Sequence, residues 1–273
     1  MKPILKWAGG KTQLLKYIRE MLPPARNRYF EPFLGGGALL LDLAPQGATV
    51  NDINPELVNM YRQVRDDVDA VVACLKELDA RHESAADAGD FYYSIRNQFN
   101  EQLGSGTAAQ AARLIYINKH CFNGLFRVNA KGCFNVPFNN RRRGESFCEE
   151  NMRAMSRYLA QVDILHGDFE DALRTAEKGD FVFFDSPYVP LNPTSFTDYA
   201  KEGFVYEDHV RLAVVFRRLA AQGVHCMLTN HNTELVRKLY GDFCLKVVPV
   251  ARNINSRASA RKGEEVIVTS YDV

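Results

Sequence analysis

The chain has no C-x-x-C pair: its six cysteines, Cys74, Cys121, Cys133, Cys148, Cys226 and Cys244, are widely scattered. A zinc cluster or a dithiol redox centre is therefore not expected, and no metal is. Long apolar runs are missing too. None approaches the roughly 20 residues of a membrane span, and the opening MKPILKWAGG is too short in its apolar run for a secretory signal. Together these point to a reduced, cytoplasmic protein. Charge of one sign is lacking as well, since 34 Lys+Arg against 33 Asp+Glu leave a net charge of +1. A polyanionic partner would have to be met by local basic patches. The dinucleotide fingerprint G-x-G-x-x-G is absent. So are internal repeats, low-complexity tracts and any feature that calls for an obligate protein partner.

What remains is an ordinary globular composition, 46% hydrophobic and 25% charged over 273 residues. That length suits one large α/β domain or a core domain with an insertion. Short apolar runs recur at Arg28 to Phe33, Ala48 to Asn51, Asp163 to His166, Phe181 to Phe184 and His225 to Leu228. Most are continuous rather than alternating, as in strands buried on both faces of a parallel sheet. Between them lie helical patterns. The clearest runs from Glu207 to Gln222, with Leu212, Val215, Phe216 and Leu219 on one face and Gly223 as the stop. Strand, helix, strand in this order predicts a doubly wound sheet. Leu245 to Val250 and Glu265 to Tyr271 have no room between them for a crossover helix, which predicts an antiparallel hairpin at the sheet edge. The middle differs: mostly helical from Asn54 to Ile117, then polar, basic and aromatic to Phe147. Residues 61–148 are taken as an inserted domain, with 1–60 and 149–273 as the core.

Two early motifs carry chemistry. YFEPFLGGGALL is a strand running into Gly35, Gly36 and Gly37 and then a helix; such glycines permit a tight turn and close backbone approach. The next run ends in VNDIN, placing Asp52 at a strand tip, where an acid commonly accepts ribose hydroxyls. A turn aspartate capping the helix from Pro55 explains Asp52 equally well. In KWAGGKT, Gly10-Lys11-Thr12 ends like a P-loop, but Leu5 stands where that motif needs glycine. Lys11 beside two glycines still suits a carboxylate; an exposed turn lysine is the alternative.

The later motif is FVFFDSPYVP, Phe181 to Pro190: an apolar strand whose tip presents an acid, a carbonyl and an aromatic ring. An exocyclic amino group has two N–H donors. Asp185 can accept one and the carbonyl of Ser186 the other, drawing the nitrogen lone pair out of conjugation and toward an electrophilic methyl. Tyr188 can stack on the base, provided the base has left the duplex. A turn built from Asp, Ser and Pro explains the tail too.

In this order, KWAGGK, FEPFLGGGA, NDIN, the insertion YINKHCFNGLFRVNAKGCFNVPF, DSPY, LTNHNT and RNINS, the motifs resemble those of the Dam-type (D12 class) DNA adenine-N6 methyltransferases. The resemblance spans nearly the whole chain and departs from the family pattern at Ser186, where Asp-Pro-Pro-Tyr is usual. It implies a Rossmann-like seven-stranded methyltransferase sheet, mostly parallel with a C-terminal antiparallel hairpin, plus a mainly helical DNA-recognition insertion. It implies S-adenosylmethionine as methyl donor and adenine in double-stranded DNA, at GATC, as target. By matching position, Trp7 and Lys11 contact the donor, Phe33, Gly35 and Gly37 wrap its methionine end, Asp52 holds its ribose and Asp168 lies by its adenine ring, where helix capping is the alternative. Asp185, Ser186, Pro187 and Tyr188 hold the flipped base. Arg127 reads a guanine, as arginine commonly does through O6 and N7, and Lys6 touches the first guanine. Phe122 and Asn123 fill the gap left by the flipped base, Leu125 and Pro137 contact the thymine and the duplex, and Arg141, Arg142 and Arg143 meet phosphates. A solvated basic loop is the alternative for that last run.

Competing chemistries were weighed on the same residues. Cytosine-C5 methylation needs a Pro-Cys, and no cysteine here follows a proline. Cytosine-N4 enzymes share the clamp chemistry but tend to begin the motif with serine. An RNA or protein methyltransferase fits the insertion poorly. A catalytically impaired protein that binds DNA and donor has Ser186 as its support. Yet the second motif residue acts through its carbonyl, which serine keeps, while Pro187 still holds residue 186 extended. An active enzyme is expected.

Overall fold

A computed structural model describes residues 1–7, 9–141, 144–191, 204–251 and 262–273, with only the backbone at Thr12, Ala251 and Lys262. In chain order the elements are α1 (Leu15–Glu20), β1 (Tyr29–Glu31), α2 (Ala38–Leu43), β2 (Ala48–Asp52), α3 (Pro55–Asp66), α4 (Val68–Ser84), α5 (Ala88–Glu101), α6 (Ala108–His120), α7 (Glu149–Leu159), β3 (Val162–His166), β4 (Phe181–Phe184), α8 (Tyr206–Ala221), β5 (His225–His231), α9 (Glu234–Tyr240), β6 (Cys244–Ala251) and β7 (Lys262–Thr269). The strands form one seven-stranded sheet in the order β3-β2-β1-β4-β5-β7-β6. β1, β4 and β5 run parallel; β7 is antiparallel to β5, and β6 to β7. The expected mixed α/β sheet with its C-terminal hairpin is what forms.

Local chemistry explains the element ends. α3 starts where Asn54 accepts the N–H groups of Glu56 and Leu57, with Pro55 in the first turn, where a missing N–H costs nothing. Asp87 and Thr107 cap α5 and α6 in the same way. α8 stops at Gly223, whose φ of 82° lets Gly223 N–H reach the Ala220 carbonyl and Val224 N–H the Leu219 carbonyl. All four residues of β4 are buried, as a continuous apolar run in a central strand should be. β5 extends three residues past the expected Leu228. Its polar end, Thr229, Asn230 and His231, is held in the ladder by Ile267, Val266 and Glu265 of β7.

The chain divides into two compact units, the first 1–11, 34–46 and 50–168, the second 12–33, 47–49 and 169–273. In the first unit α6 packs against α3, α4 and α5. Leu114, Ile115, Tyr116 and Ile117 are all buried on successive positions, the signature of a helix covered on every side. Residues 121–138 return as a narrow ribbon with antiparallel bridges Cys121↔Phe138 and Val128↔Phe134. The second unit is built on Phe30, Val182, Phe184, Phe216, Leu228, Val266 and Val268. Each such side chain contributes about 1.5–3 kcal/mol on burial. The strand order reverses between β1 and β4, both in this unit. The carboxyl ends of strands at such a reversal are where open α/β sheets bind ligands.

Candidate active site

In the first unit, the glycine loop is tied to the tip of β2. Asp52 Oδ2 accepts the Gly35 N–H at 2.9 Å and Oδ1 the Asn54 N–H at 2.9 Å. Burial pushes the Asp52 carboxyl above its ordinary pKa, and these N–H donors work against that shift. Asp52 is not the cap of α3; Asn54 is, and Asp52 instead braces the loop. Gly35 has φ of 50°, and a Cβ there would lie 2.9 Å from Trp7 Cδ1. The glycine is thus required by a neighbouring indole as well as by the turn. Trp7 lies over the loop and stacks on Phe126 at 5.0 Å between centroids. Gly37 precedes α2, and Tyr61 donates to the Gly35 carbonyl at 3.1 Å. Lys11 is 4% exposed, so it is not the solvated turn lysine of the alternative reading, and its ammonium donates to the Gly9 carbonyl. Asp168 follows β3, whose tip is fastened to β2: Gly167 N–H donates to the Asp52 carbonyl and Asn51 to the Gly167 carbonyl. The next helical turn runs from Asp171 to Leu173, with Glu170 at its N-terminal boundary.

In the second unit, Phe33 stacks on Phe169 at 5.1 Å. Asp185 and Tyr188 leave the end of β4 and are held by β5 and β7. Thr229 donates to Asp185 Oδ1 at 3.0 Å. Tyr188 donates to Glu265 Oε2 at 2.9 Å and meets the His231 ring edge-on at 4.9 Å. Glu265 and His231 are direct partners across β5 and β7, so one cross-strand pair forms the seat for Tyr188. Burial, with Asp185 and Glu265 nearby, raises the Tyr188 hydroxyl well above its usual pKa and keeps it a neutral donor. Asn230 accepts the Val189 N–H at 2.9 Å, and His231 Nδ1 is 2.8 Å from the Val189 carbonyl. Ser186 is 2% exposed, with its hydroxyl lacking a hydrogen-bond partner among the described residues; Pro187 is exposed.

The expected DNA-contacting residues fall in the first unit. Phe122 is 52% exposed and Asn123 sits at φ of 55°, in the turn after α6. Phe122 N–H donates to the Pro137 carbonyl at 2.8 Å, bringing both sides of the ribbon together. Arg127 is exposed and donates from Nε to Asn135 at 2.8 Å. Leu125 is half-buried, Lys6 and Arg141 exposed. Lys6, Phe122, Asn123 and Arg141 line a cavity of about 1180 Å³. Arg142, Arg143 and the RNINS segment lie outside the described residues.

Several supporting residues were given no role in the sequence reading. Buried Asn118 accepts the Lys6 N–H and donates to the Lys6 and Gly124 carbonyls at 2.9–3.1 Å. Thr229, Asn230 and His231 form a polar tip on an apolar strand, as NDIN and DSPY do, and they lie within the motif LTNHNT, although their supporting contacts were not read from it. Asn135 lies in the insertion motif without a role read for it, and Glu265 has no such trace.

Comparison with known proteins gives the family. The family model of D12 class N6 adenine-specific DNA methyltransferases matches residues 7–254. The chain is 41% identical to the Type II methyltransferase M1.LlaDCHI of Lactococcus lactis subsp. cremoris, over 99% of this chain and 96% of that protein. It is 39% identical to the Type II methyltransferase M.MjaIII of Methanocaldococcus jannaschii, over 99% of each. It is 32% identical to the DNA adenine methylase of Haemophilus influenzae, over 97% and 92%. With the family model covering residues 7–254 and relatives about 40% identical over nearly the whole chain, the chain belongs to the D12 class of N6 adenine-specific DNA methyltransferases.

Proposed function

We propose that the enzyme transfers a methyl group from S-adenosylmethionine to N6 of an adenine flipped out of duplex DNA at GATC. The observation that carries this reading is the braced clamp at the end of β4, in which Asp185 is hydrogen-bonded by Thr229 and Tyr188 by Glu265. Asp185 accepts one N–H of the adenine amino group and the Ser186 carbonyl the other, while the Tyr188 ring stacks on the base. These bonds localise the nitrogen lone pair. Catalysis is then positioning and hydrogen bonding.

The donor supplies an electrophilic methyl on a sulfonium sulfur. The first unit's residues fit such a molecule. Asp52 has about four lone-pair sites, engaged by the Gly35, Asn54 and Ile53 amides, and accepts a ribose hydroxyl at the remaining one. Lys11 suits the donor's carboxylate, Trp7 and the loop from Gly35 to Gly37 its methionine end, and Asp168 its adenine. On the DNA side Arg127, Leu125, Lys6 and Pro137 serve sequence readout, Phe122 and Asn123 the vacated gap, and Arg141 a phosphate.

The test is methylation of plasmid DNA that lacks the modification, followed by digestion with restriction enzymes that differ in their sensitivity to methylated GATC. Protection from the sensitive enzyme alone supports base, site and donor together. Methyl incorporation with no change in digestion sinks the GATC assignment and leaves the rest standing.

A further inference from the structure

We propose that Thr229 is a positioning residue for methyl transfer, its hydroxyl setting the angle at which the Asp185 carboxylate meets the target amino group. This rests on the reading of Asp185 as the amino-group acceptor. Thr229 is 0% exposed and its hydroxyl donates to Asp185 Oδ1 at 3.0 Å. Strand register makes the contact. β4 and β5 pair in parallel through Phe184↔Leu228, so the next residues, Asp185 and Thr229, come side by side where β4 ends and β5 continues. On its other side Thr229 is paired to Ile267 of β7, which holds its backbone between two strands.

A carboxylate turns on a broad, roughly two-fold torsion. A donor fixed to one of its oxygens selects the plane of the group and hence the direction of its remaining lone pairs. That direction matters because the clamp acts by geometry alone, and a displacement of about 1 Å from productive geometry costs on the order of 100-fold in rate. The Thr229 hydroxyl also neighbours the Tyr188 hydroxyl, whose other partner is Glu265. One buried hydroxyl therefore neighbours both side chains of the clamp.

Thr229→Val removes the hydroxyl and keeps the shape; Thr229→Ser keeps the hydroxyl. Steady-state methylation of a duplex carrying one site should show Thr229→Val lowering kcat by about 10- to 100-fold, with KM for DNA and Kd for the donor within about twofold of wild type. Thr229→Ser should retain kcat to within about threefold. Thr229→Ala replaces the valine variant if that protein does not fold. Wild-type kcat in the valine or alanine variant overturns the proposal. So does a serine variant that loses as much as valine, which would assign the effect to packing, or a loss confined to KM. Asp185→Ala, measured in parallel, separates the two readings. Full activity there removes the clamp itself, whereas loss there with normal Thr229→Val turnover removes only the role of Thr229.

Discussion

Ser186 is the residue at which the chain leaves its family's pattern, and the structure changes what that departure means. Its hydroxyl is buried and has no hydrogen-bond partner among the described residues, while its carbonyl is the group that the proposed clamp would use. A buried, unpaired hydroxyl costs about 1–3 kcal/mol. Ser186→Ala is therefore expected to raise the melting temperature, by about 2–4 °C for each kcal/mol recovered, with kcat unchanged. Calorimetry with a methylation assay checks both halves, and a drop in melting temperature would show that the hydroxyl has a partner. The position of Ser186 at a strand tip was legible in Phe181 to Phe184, a run apolar enough to be buried on both faces. The fate of its side chain was not, because burial of one hydroxyl depends on what surrounds it and not on its neighbours in sequence.

At the scale of elements, the turn after α6 shows how two segments proposed to meet DNA share one support. Asn118 spends its carboxamide on Lys6 and Gly124, and a Cβ on Gly124 would lie 2.5 Å from Lys6 Cδ, at a φ of 67°. Gly124→Ala is expected to raise KM for DNA at least about 10-fold with little change in donor binding, since ~1–3 kcal/mol of strain falls on the turn carrying Phe122 and on Lys6. Donor titration and DNA-dependent kinetics separate the two. Beneath this turn, His120 is buried at 3.1 Å from Ser146 and burial lowers its pKa to about 3. The unfolded chain binds that proton near 6.5 and the folded one does not, so the stability is full above pH 6.5 and falls as pH drops toward 3. His82, also lowered by burial, adds to this, and Asp79, raised by burial, opposes it. His120→Gln is expected to flatten the melting temperature against pH between 6.5 and 4; an unchanged slope would remove His120 as its source. The helices themselves were readable from caps such as Asn54 and Thr107. The polar end of β5 was not, because Thr229 to His231 join the ladder only through β7.

For the whole molecule, a net charge of +1 means that DNA affinity comes from where cations sit rather than from how many there are. Arg141 is exposed and suited to a phosphate. Arg141→Ala should weaken binding alike on all sequences and lower the slope of log K against log salt by about 0.9. Arg127, held by Asn135, should instead carry discrimination: Arg127→Ala is expected to cost about 1–3 kcal/mol at one base pair and relax specificity there. Titrations at several salt concentrations, on cognate and single-substituted duplexes, distinguish the two. Equal losses on every duplex for Arg127→Ala would take away its readout role.

The family, the reaction class and the order of strands and helices were determined by the sequence alone. Each of those signals is carried by a contiguous run, whether DSPY, NDIN, the glycine cluster or a buried apolar strand, and local spacing is enough to recognise it. What only the tertiary structure decided is which groups hold these motifs in working geometry. Thr229 reaches Asp185 from 44 residues away, Glu265 reaches Tyr188 from 77, and Asn118 reaches Lys6 from 112. A contact of about 3 Å across such separations is set by strand register and helix packing, and no spacing along the chain encodes it.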